Sequence, residues 1–166
     1  MVFVDSSVLI HLSRIGKLNL LKEYFKEIKI TEDVFEETVV KSGEVAGKIE
    51  IKRGCDKWIK IEKPKNAGRV RELSRNNLIS KADASLIESA RERKEILLTN
   101  DYLLIKVARS FGVECWWLTT FIIKCREKNV LTKSETKKIV IDLIESGMRL
   151  NIEVYTRIEK IIDEMK

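Results

Sequence analysis

The chain has 166 residues, of which 44% are hydrophobic and 35% are charged, and its formal net charge is +6. This length and composition fit one globular domain with a heavily charged surface. No apolar run approaches the ~18 residues of a membrane span, and three widely spaced cysteines with one histidine exclude a disulfide framework and a zinc site. The N-terminus enters a strand without a secretory signal segment, so we expect a cytoplasmic protein with no membrane association.

In chain order, short apolar runs alternate with helical patterns along the first three quarters of the sequence. The predicted strands comprise residues 2–4, 28–30, 58–61, 96–99 and 113–117. The predicted helices comprise residues 8–14, 18–25, 31–39, 45–55, 68–76, 80–90, 102–111 and 119–129. Strands that alternate with helices indicate a parallel sheet covered on both faces, so the predicted fold class is α/β with three α/β/α layers and a short sheet.

The last part of the chain has a different, purely helical pattern. Thr132 and Glu135 have the spacing of a capping box, and a final helix is predicted over residues 152–165. We therefore expect a domain over residues 1–128 and a two-helix extension over residues 129–166, packed on the domain or at an interface. The extension has one apolar stripe, which could either dock on the domain or form the interface of a homodimer, and the sequence does not decide between the two. The stripe consists of Ile139, Leu143, Ile158 and Ile162.

Three aspartates occupy positions from which their side chains would meet. Asp5 and Asp101 each follow a buried strand, and ligands of an open parallel sheet bind outside the carboxyl ends of the strands. Either aspartate could instead cap the helix that follows it. Asp83 is the third residue of a helix capped by Ser80, yet it also lies on the apolar face of that helix. An acid on a buried face is costly without a cation or donor, which favours a functional role.

A fourth acid comes from the helix after residue 31, where Glu36 and Glu37 are both candidates to point inward. Carboxylates gathered at one edge repel each other and raise each other's pKa unless a divalent cation lies among them. Oxygen ligands favour Mg²⁺ or Mn²⁺. Such an ion lowers the pKa of a bound water and stabilises charge on a phosphate, so the pattern indicates phosphodiester cleavage.

The positive surplus is confined to the middle of the chain. Residues 63–128 contain 14 basic and 8 acidic side chains, whereas the flanking segments are balanced. A local basic excess attracts polyanions such as nucleic acid, although a solvated helix face has the same composition. Glu88, within this segment, is interpreted as a surface residue. The candidate nucleic-acid-binding residues are Arg69, Arg71, Arg75, Arg91 and Arg93.

Four short motifs follow one another along the chain: Val4-Asp5-Ser6-Ser7, Val34-Phe35-Glu36-Glu37, Ala82-Asp83-Ala84-Ser85-Leu86-Ile87 and Leu97-Leu98-Thr99-Asn100-Asp101. In order and spacing they resemble PIN domains, the metal-dependent ribonucleases that include the VapC-type toxins. The resemblance covers about residues 1–125, and the tail is similar to a prokaryotic subgroup with two extra C-terminal helices. It implies an endoribonuclease that uses Mg²⁺ or Mn²⁺ and acts on RNA.

Carried over by position, the resemblance also implies roles for individual residues. Ser7 and Thr99 would be polar supports that orient the acids, although many VapC-type toxins have asparagine in place of Ser7, which questions toxin behaviour more than metal binding. A toxin would have a small antitoxin protein as its partner. The alternatives are a stand-alone RNA-processing nuclease and a non-catalytic module that binds RNA or protein. The implied catalytic and metal-binding acids are Asp5, Glu37, Asp83 and Asp101.

Two other classes with clustered acids fit the sequence less well. A phosphoacceptor receiver domain needs an acidic pair after the first strand and a lysine after the last one. Here the corresponding positions hold Ser6-Ser7 and Trp116-Trp117, and the tryptophans are interpreted as core or interface residues. A phosphatase of the DxDxT type is excluded because Asp5 has no second aspartate two residues later.

Overall fold

A five-stranded parallel sheet forms the centre of the molecule. The computed structural model describes residues 1–41 and 47–165. Within these residues the sheet has the strand order β3-β2-β1-β4-β5. Its strands are β1 (Val2–Val4), β2 (Ile28–Thr31), β3 (Ile59–Glu62), β4 (Ile96–Thr99) and β5 (Cys115–Trp117).

Helices connect the strands and follow the last one. A π-helical turn, Glu36–Val40, directly continues the third helix. The fourth helix begins at Lys48, so residues 45 and 46 of the predicted helix 45–55 lie outside the described part of the chain. None of the helices described is long and apolar enough to cross a bilayer. Their bounds are α1 (Ser6–Arg14), α2 (Asn19–Phe25), α3 (Glu32–Phe35), α4 (Lys48–Cys55), α5 (Ala67–Asn77), α6 (Lys81–Arg93), α7 (Tyr102–Ser110), α8 (Leu118–Glu127), α9 (Lys133–Glu145) and α10 (Ile152–Glu164).

The strand order creates a crevice at one edge of the sheet. From β1 the chain proceeds to β2 and β3 on one side, and then to β4 and β5 on the other side. The central strands are apolar because both of their faces are covered, and β1 is fully buried. In such sheets, ligands bind where the order reverses, outside the carboxyl ends of the strands. Here that place lies after β1 and β4, where Asp5 and Asp101 follow.

Two helical layers enclose the sheet. Right-handed crossovers place the helices after β1 and those before β4 on opposite faces. On one face α6 packs against β1, β2 and β4. On the other face α2 and α8 meet through aromatic side chains, since the rings of Phe25 and Phe121 stack at 5.6 Å and Tyr24 meets Phe121 edge-on at 5.5 Å. The predicted three-layer α/β/α fold is therefore confirmed.

The C-terminal helices extend the core of the domain. Both α9 and α10 pack against α8. Each residue of the apolar stripe is buried, with an exposed fraction of 4% or less. The stripe belongs to the same hydrophobic core as the sheet. Its side chains therefore dock on the domain, which leaves them inaccessible to a second copy. The domain boundary at residue 128 and the homodimer both stay predictions. The residues of this stripe are Ile139, Leu143, Ile158 and Ile162.

Candidate active site

Hydroxyl groups hold Asp5 in one orientation at the end of β1. Asp5 is only 5% exposed, and its side chain does not cap α1. The Oγ of Ser7 and the Oγ1 of Thr99 donate to Asp5 Oδ2 at 2.5 and 2.9 Å. The Oγ of Ser6 donates to Asp5 Oδ1 at 3.2 Å. Ser6 was not predicted as a support, although its place directly after the acid was the available signal.

Thr99 connects Asp5 to Asp101. Its side chain is fully buried, and its Oγ1 both donates to Asp5 and accepts the backbone N–H of Asp101 at 3.0 Å. Asp101 is the N-cap of α7, because its Oδ1 accepts the N–H of Leu104 at 2.8 Å. The cap occupies one carboxylate oxygen, and Oδ2 makes no hydrogen bond within the described residues. Asp101 can therefore cap a helix and bind a ligand at once.

Asp83 begins α6 at the same edge of the sheet. It forms a capping box with Ser80, whose Oγ accepts the N–H of Asp83 at 3.0 Å while Asp83 Oδ2 accepts the N–H of Ser80 at 3.2 Å. Burial raises the pKa of the Asp83 carboxyl, and the nearby charges of Asp5 and Asp101 raise it further against the opposing hydrogen bonds from Ser80. The three aspartates therefore share one electrostatic environment.

Glu37 is exposed, but its carboxyl lies close enough to Asp5 and Asp83 for their charges to act on it. Partial desolvation raises the pKa of its carboxyl, the charges of Asp5 and Asp83 add to this, and the nearby Ser6 hydroxyl opposes the shift. Its acidic neighbours are instead paired with lysines at 2.7 to 2.8 Å. These pairs are Glu32–Lys63, Asp33–Lys81 and Glu36–Lys41.

The four acids form an open site without a protein cation. Within the described residues, no lysine, arginine or histidine forms an ion pair with any of them. In residues 1–41 and 47–165, no group of three or more His, Cys, Asp or Glu side chains is arranged so that it could hold a metal ion by itself. This open donor set fits Mg²⁺, which binds through one or two carboxylates and keeps several waters. Burial is the main cause of the raised pKa of Asp83 and Glu37, and such a cation would offset the smaller part that comes from repulsion between the acids.

Three of the predicted nucleic-acid-binding arginines form ion pairs inside the protein. Glu88 is 1% exposed, so its interpretation as a surface residue is wrong. Its two carboxylate oxygens accept hydrogen bonds from Arg91 at 2.8 and 3.0 Å, and Arg69 Nε lies 3.7 Å away. Arg93 donates to Glu62 at 2.9 Å. These arginines partly neutralise internal acids, so the basic excess of the sequence overstates the free positive charge.

Arg71 and Arg75 lie in a different environment on α5. Both are exposed, and neither forms an ion pair within the described residues. The last turn of α5, which contains Arg75, leads directly into Ser80 and the start of α6, the end that carries Asp83. By contrast, Arg91 lies eight residues further along α6, which is about 12 Å at the helical rise. Arg75 is therefore better placed than Arg91 to contact a substrate at the acids.

A groove beside Asp101 was not predicted from the sequence. Its lining residues come from β5 and the start of α8, from the beginning of α7 and the residue Asn100 before it, and from the segment between α9 and α10 with the first turn of α10. No local pattern could indicate it, because these segments are far apart in the sequence. Its aromatic and cationic lining residues are Tyr102, Trp117 and Arg149.

Replacing Thr99 by valine is expected to lower the affinity for Mn²⁺ about tenfold or more, the usual cost of losing a partner that orients a metal ligand. Valine removes the hydroxyl that holds both Asp5 and the N–H of Asp101. Thr99→Ser keeps this hydroxyl and is expected to bind like the unmodified protein. Isothermal titration calorimetry with Mn²⁺ measures the difference, and equal affinities of the two variants would show that Thr99 has no positioning role.

Comparison with known families agrees with this geometry. A family model described as a PIN domain matches residues 1–164, which includes both C-terminal helices. No curated protein shows significant similarity to the chain. The match extends over nearly the whole sequence and contains all four acids of the site. The chain therefore belongs to the PIN-domain family.

Proposed function

We propose that this protein is an endoribonuclease that requires Mg²⁺ or Mn²⁺ and hydrolyses phosphodiester bonds of single-stranded RNA. PIN domains are generally metal-dependent nucleases. The observation that carries the proposal is the open group of carboxylates at the switch point of the sheet. These acids have no cation partner within the described residues, and two of them have raised pKa values. A divalent cation bound beside a phosphate would offset the repulsion between these carboxylates.

Each acid has a distinct part in this proposal. Asp5, Asp83 and Asp101 would hold the ion, and Ser7 and Thr99 would keep Asp5 oriented toward it. When bound, such an ion supplies positive charge to the phosphate and lowers the pKa of the attacking water.

Glu37 has a different proposed part, at the exposed side of the same site. It would complete or tune the ion site, because its carboxylate lies close enough to Asp5 and Asp83 for their charges to act on it. Glu36 is bound to Lys41 and is not proposed to take part.

Basic residues on α5 are proposed to contact the RNA backbone. Arg71 and Arg75 are exposed and unpaired within the described residues, so their guanidinium groups can reach phosphates. The ion-paired Arg69, Arg91 and Arg93 would contribute weaker, longer-range attraction. Contacts of this kind release counterions from the RNA, so its affinity should fall as the salt concentration rises.

Cleavage of labelled single-stranded RNA tests the function. Glu37→Gln and Glu36→Gln serve as a matched pair of variants, because they make the same change at neighbouring glutamates. Cleavage is expected to require Mn²⁺ and to stop in EDTA. We expect Glu37→Gln to cut at least about tenfold more slowly, the usual cost of losing a group that supports a metal site, and Glu36→Gln to cut like the unmodified protein. Cutting that persists in EDTA would indicate a contaminating enzyme. No cutting of several RNAs would favour a non-catalytic PIN-like module.

The proposed partners follow from the same site. If the protein is a VapC-type toxin, a small antitoxin would cover the four acids and place a basic side chain among them. A gene for a short protein directly upstream would support this role, and its absence would favour a stand-alone RNA-processing nuclease. Three free cysteines suit the reducing cytoplasm, which is the proposed location. The proposed homodimer is tested by light scattering of the purified protein.

A further inference from the structure

We propose that the groove beside Asp101 binds an unpaired base of the RNA substrate, and that the C-terminal extension supplies part of this base subsite. The inference rests on the proposed ribonuclease function and adds a specificity-determining contact to it. The groove has a volume of about 430 Å³, within the range of small-molecule sites. Among its lining residues are Asn100, Tyr102, Trp117, Thr119, Arg149 and Val154.

The groove is directly joined to the acids. The backbone N–H of Asn100 donates to Ser7 Oγ at 3.3 Å, and Ser7 in turn donates to Asp5. On the next strand, Trp117 is the ladder partner of Thr99, which also donates to Asp5. Neighbouring strands lie about 4.8 Å apart, so a nucleotide whose phosphate meets the acids can place its base in the groove.

Two aromatic rings in the groove have faces without an aromatic or cationic partner. Tyr102 is 70% exposed, and within the described residues neither its ring nor that of Trp117 forms an aromatic pair or a cation–π contact. The adjacent Trp116 differs, because Tyr24 meets its ring edge-on at 6.3 Å and Lys124 lies 5.1 Å from its centroid. Exposed aromatic faces are the usual platforms for the bases of single-stranded nucleic acid.

Arg149 supplies the positive charge of the groove. It is exposed and forms no ion pair or hydrogen bond within the described residues. The segment that carries it is well anchored, because the preceding Met148 is 3% exposed and Asn151 accepts the N–H of Val154 at 2.8 Å as the cap of α10. A fixed segment that presents one unpaired guanidinium suits a phosphate next to the stacked base.

The chemistry of the groove favours single-stranded RNA over a duplex or a protein. Bases inside a duplex are stacked on each other, whereas a free base exposes both faces and its edge. The groove offers aromatic faces for stacking, amide and hydroxyl groups for the edge, and Arg149 for the backbone. All of these groups adjoin a site that is proposed to act on a phosphodiester.

The test is fluorescence anisotropy with short labelled single-stranded RNA in an Asp83→Asn background, so that binding is measured without cleavage. Tyr102→Ala is expected to weaken binding at least about fivefold, the low end for losing one base–aromatic stack. The matched control is Leu103→Ala, whose side chain is 48% exposed and does not line the groove. Arg149→Gln should also weaken binding, whereas Lys52→Gln, at an exposed lysine of α4, should not.

Removing the base itself gives a second, independent measurement. An RNA with one abasic nucleotide at the cleavage position should bind the Asp83→Asn protein more weakly than the intact RNA does. Adding Tyr102→Ala to this protein should reduce the difference between the two RNAs. Equal binding by the Tyr102→Ala and Leu103→Ala variants, or no measurable RNA binding at all, overturns the base subsite. If the unmodified protein still cleaves RNA in that case, the ribonuclease proposal stands alone. Binding that depends on Tyr102 without metal-dependent cleavage would leave only the base subsite.

Discussion

Asp83→Asn is expected to lower the rate of Mn²⁺-dependent RNA cleavage by at least about a hundredfold, a typical cost of losing one group that organises transition-state charge. Asparagine keeps the shape of the side chain and an oxygen that can still accept the N–H of Ser80, so the start of α6 should remain intact. What it removes is the charge shared with Asp5 and Asp101. Initial rates on labelled single-stranded RNA provide the measurement.

The control for this substitution is Asp56→Asn, which removes an exposed carboxylate at the end of α4, outside the site. It should cleave at the rate of the unmodified protein. Equal rates for Asp83→Asn and Asp56→Asn would place the chemistry elsewhere in the molecule.

Asp83→Asn, although it should lower the cleavage rate, should not lower the thermal stability of the protein in the absence of metal. Burial and the neighbouring aspartates raise the pKa of Asp83 above 3.8, so the folded chain binds this proton more tightly than the unfolded chain. The contribution to the unfolding free energy is therefore present at low pH and is lost as the pH rises through the raised pKa. At neutral pH, Asp83→Asn should unfold at the same or a higher temperature. A large loss of thermal stability would mean that inactivity reflects misfolding.

Ile139→Ala is expected to lower the free energy of unfolding by about 2 to 5 kcal/mol, the range for truncating a buried aliphatic side chain. Ile139 is 1% exposed and belongs to the core cluster that includes the sheet, so its loss leaves a cavity inside the domain. Urea unfolding followed by circular dichroism measures the change. One cooperative transition is expected, because α9 and α10 share their core with the strands.

Ile141→Ala is the matched control on the same helix. Ile141 is 42% exposed, so the change should stay within about 0.5 kcal/mol. An early separate transition caused by Ile139→Ala would show that the two C-terminal helices unfold as an independent unit, contrary to the shared core.

The positions of Asp5 and Asp101 at the ends of their strands could be predicted from the sequence. Which of Glu36 and Glu37 lies nearer to these aspartates could not. A short apolar run that ends in an acid indicates a buried strand and places Asp5 and Asp101 at one edge, because parallel strands end on the same side. The spacing of residues along an ideal helix does not decide which of the two glutamates points toward the aspartates. In the structure this segment is π-helical, which changes the angular spacing of its residues, and the pairing of Glu36 with Lys41 depends on tertiary position.

The environment of Glu88 was also inaccessible to pattern reasoning. A charged residue on a helix is most simply interpreted as a surface residue, but α5 packs on α6, and the buried carboxylate of Glu88 pairs with Arg69 and Arg91. Likewise, Trp117 was interpreted as a core or interface residue, and only the fold brings it beside Arg149. Contacts between distant segments decide both cases, and local periodicity does not contain that information.

The hydrogen bonds that fix the aspartates imply that each carboxylate is oriented before a ligand arrives. Asp83 is held by the N–H of Ser80, Asp101 by that of Leu104, and Asp5 by three hydroxyl groups, all before any ligand arrives. Little side-chain entropy is then lost when an ion binds, so the remaining cost is the approach of the three carboxylates to one another, because no three acids of the described residues are yet arranged around an ion.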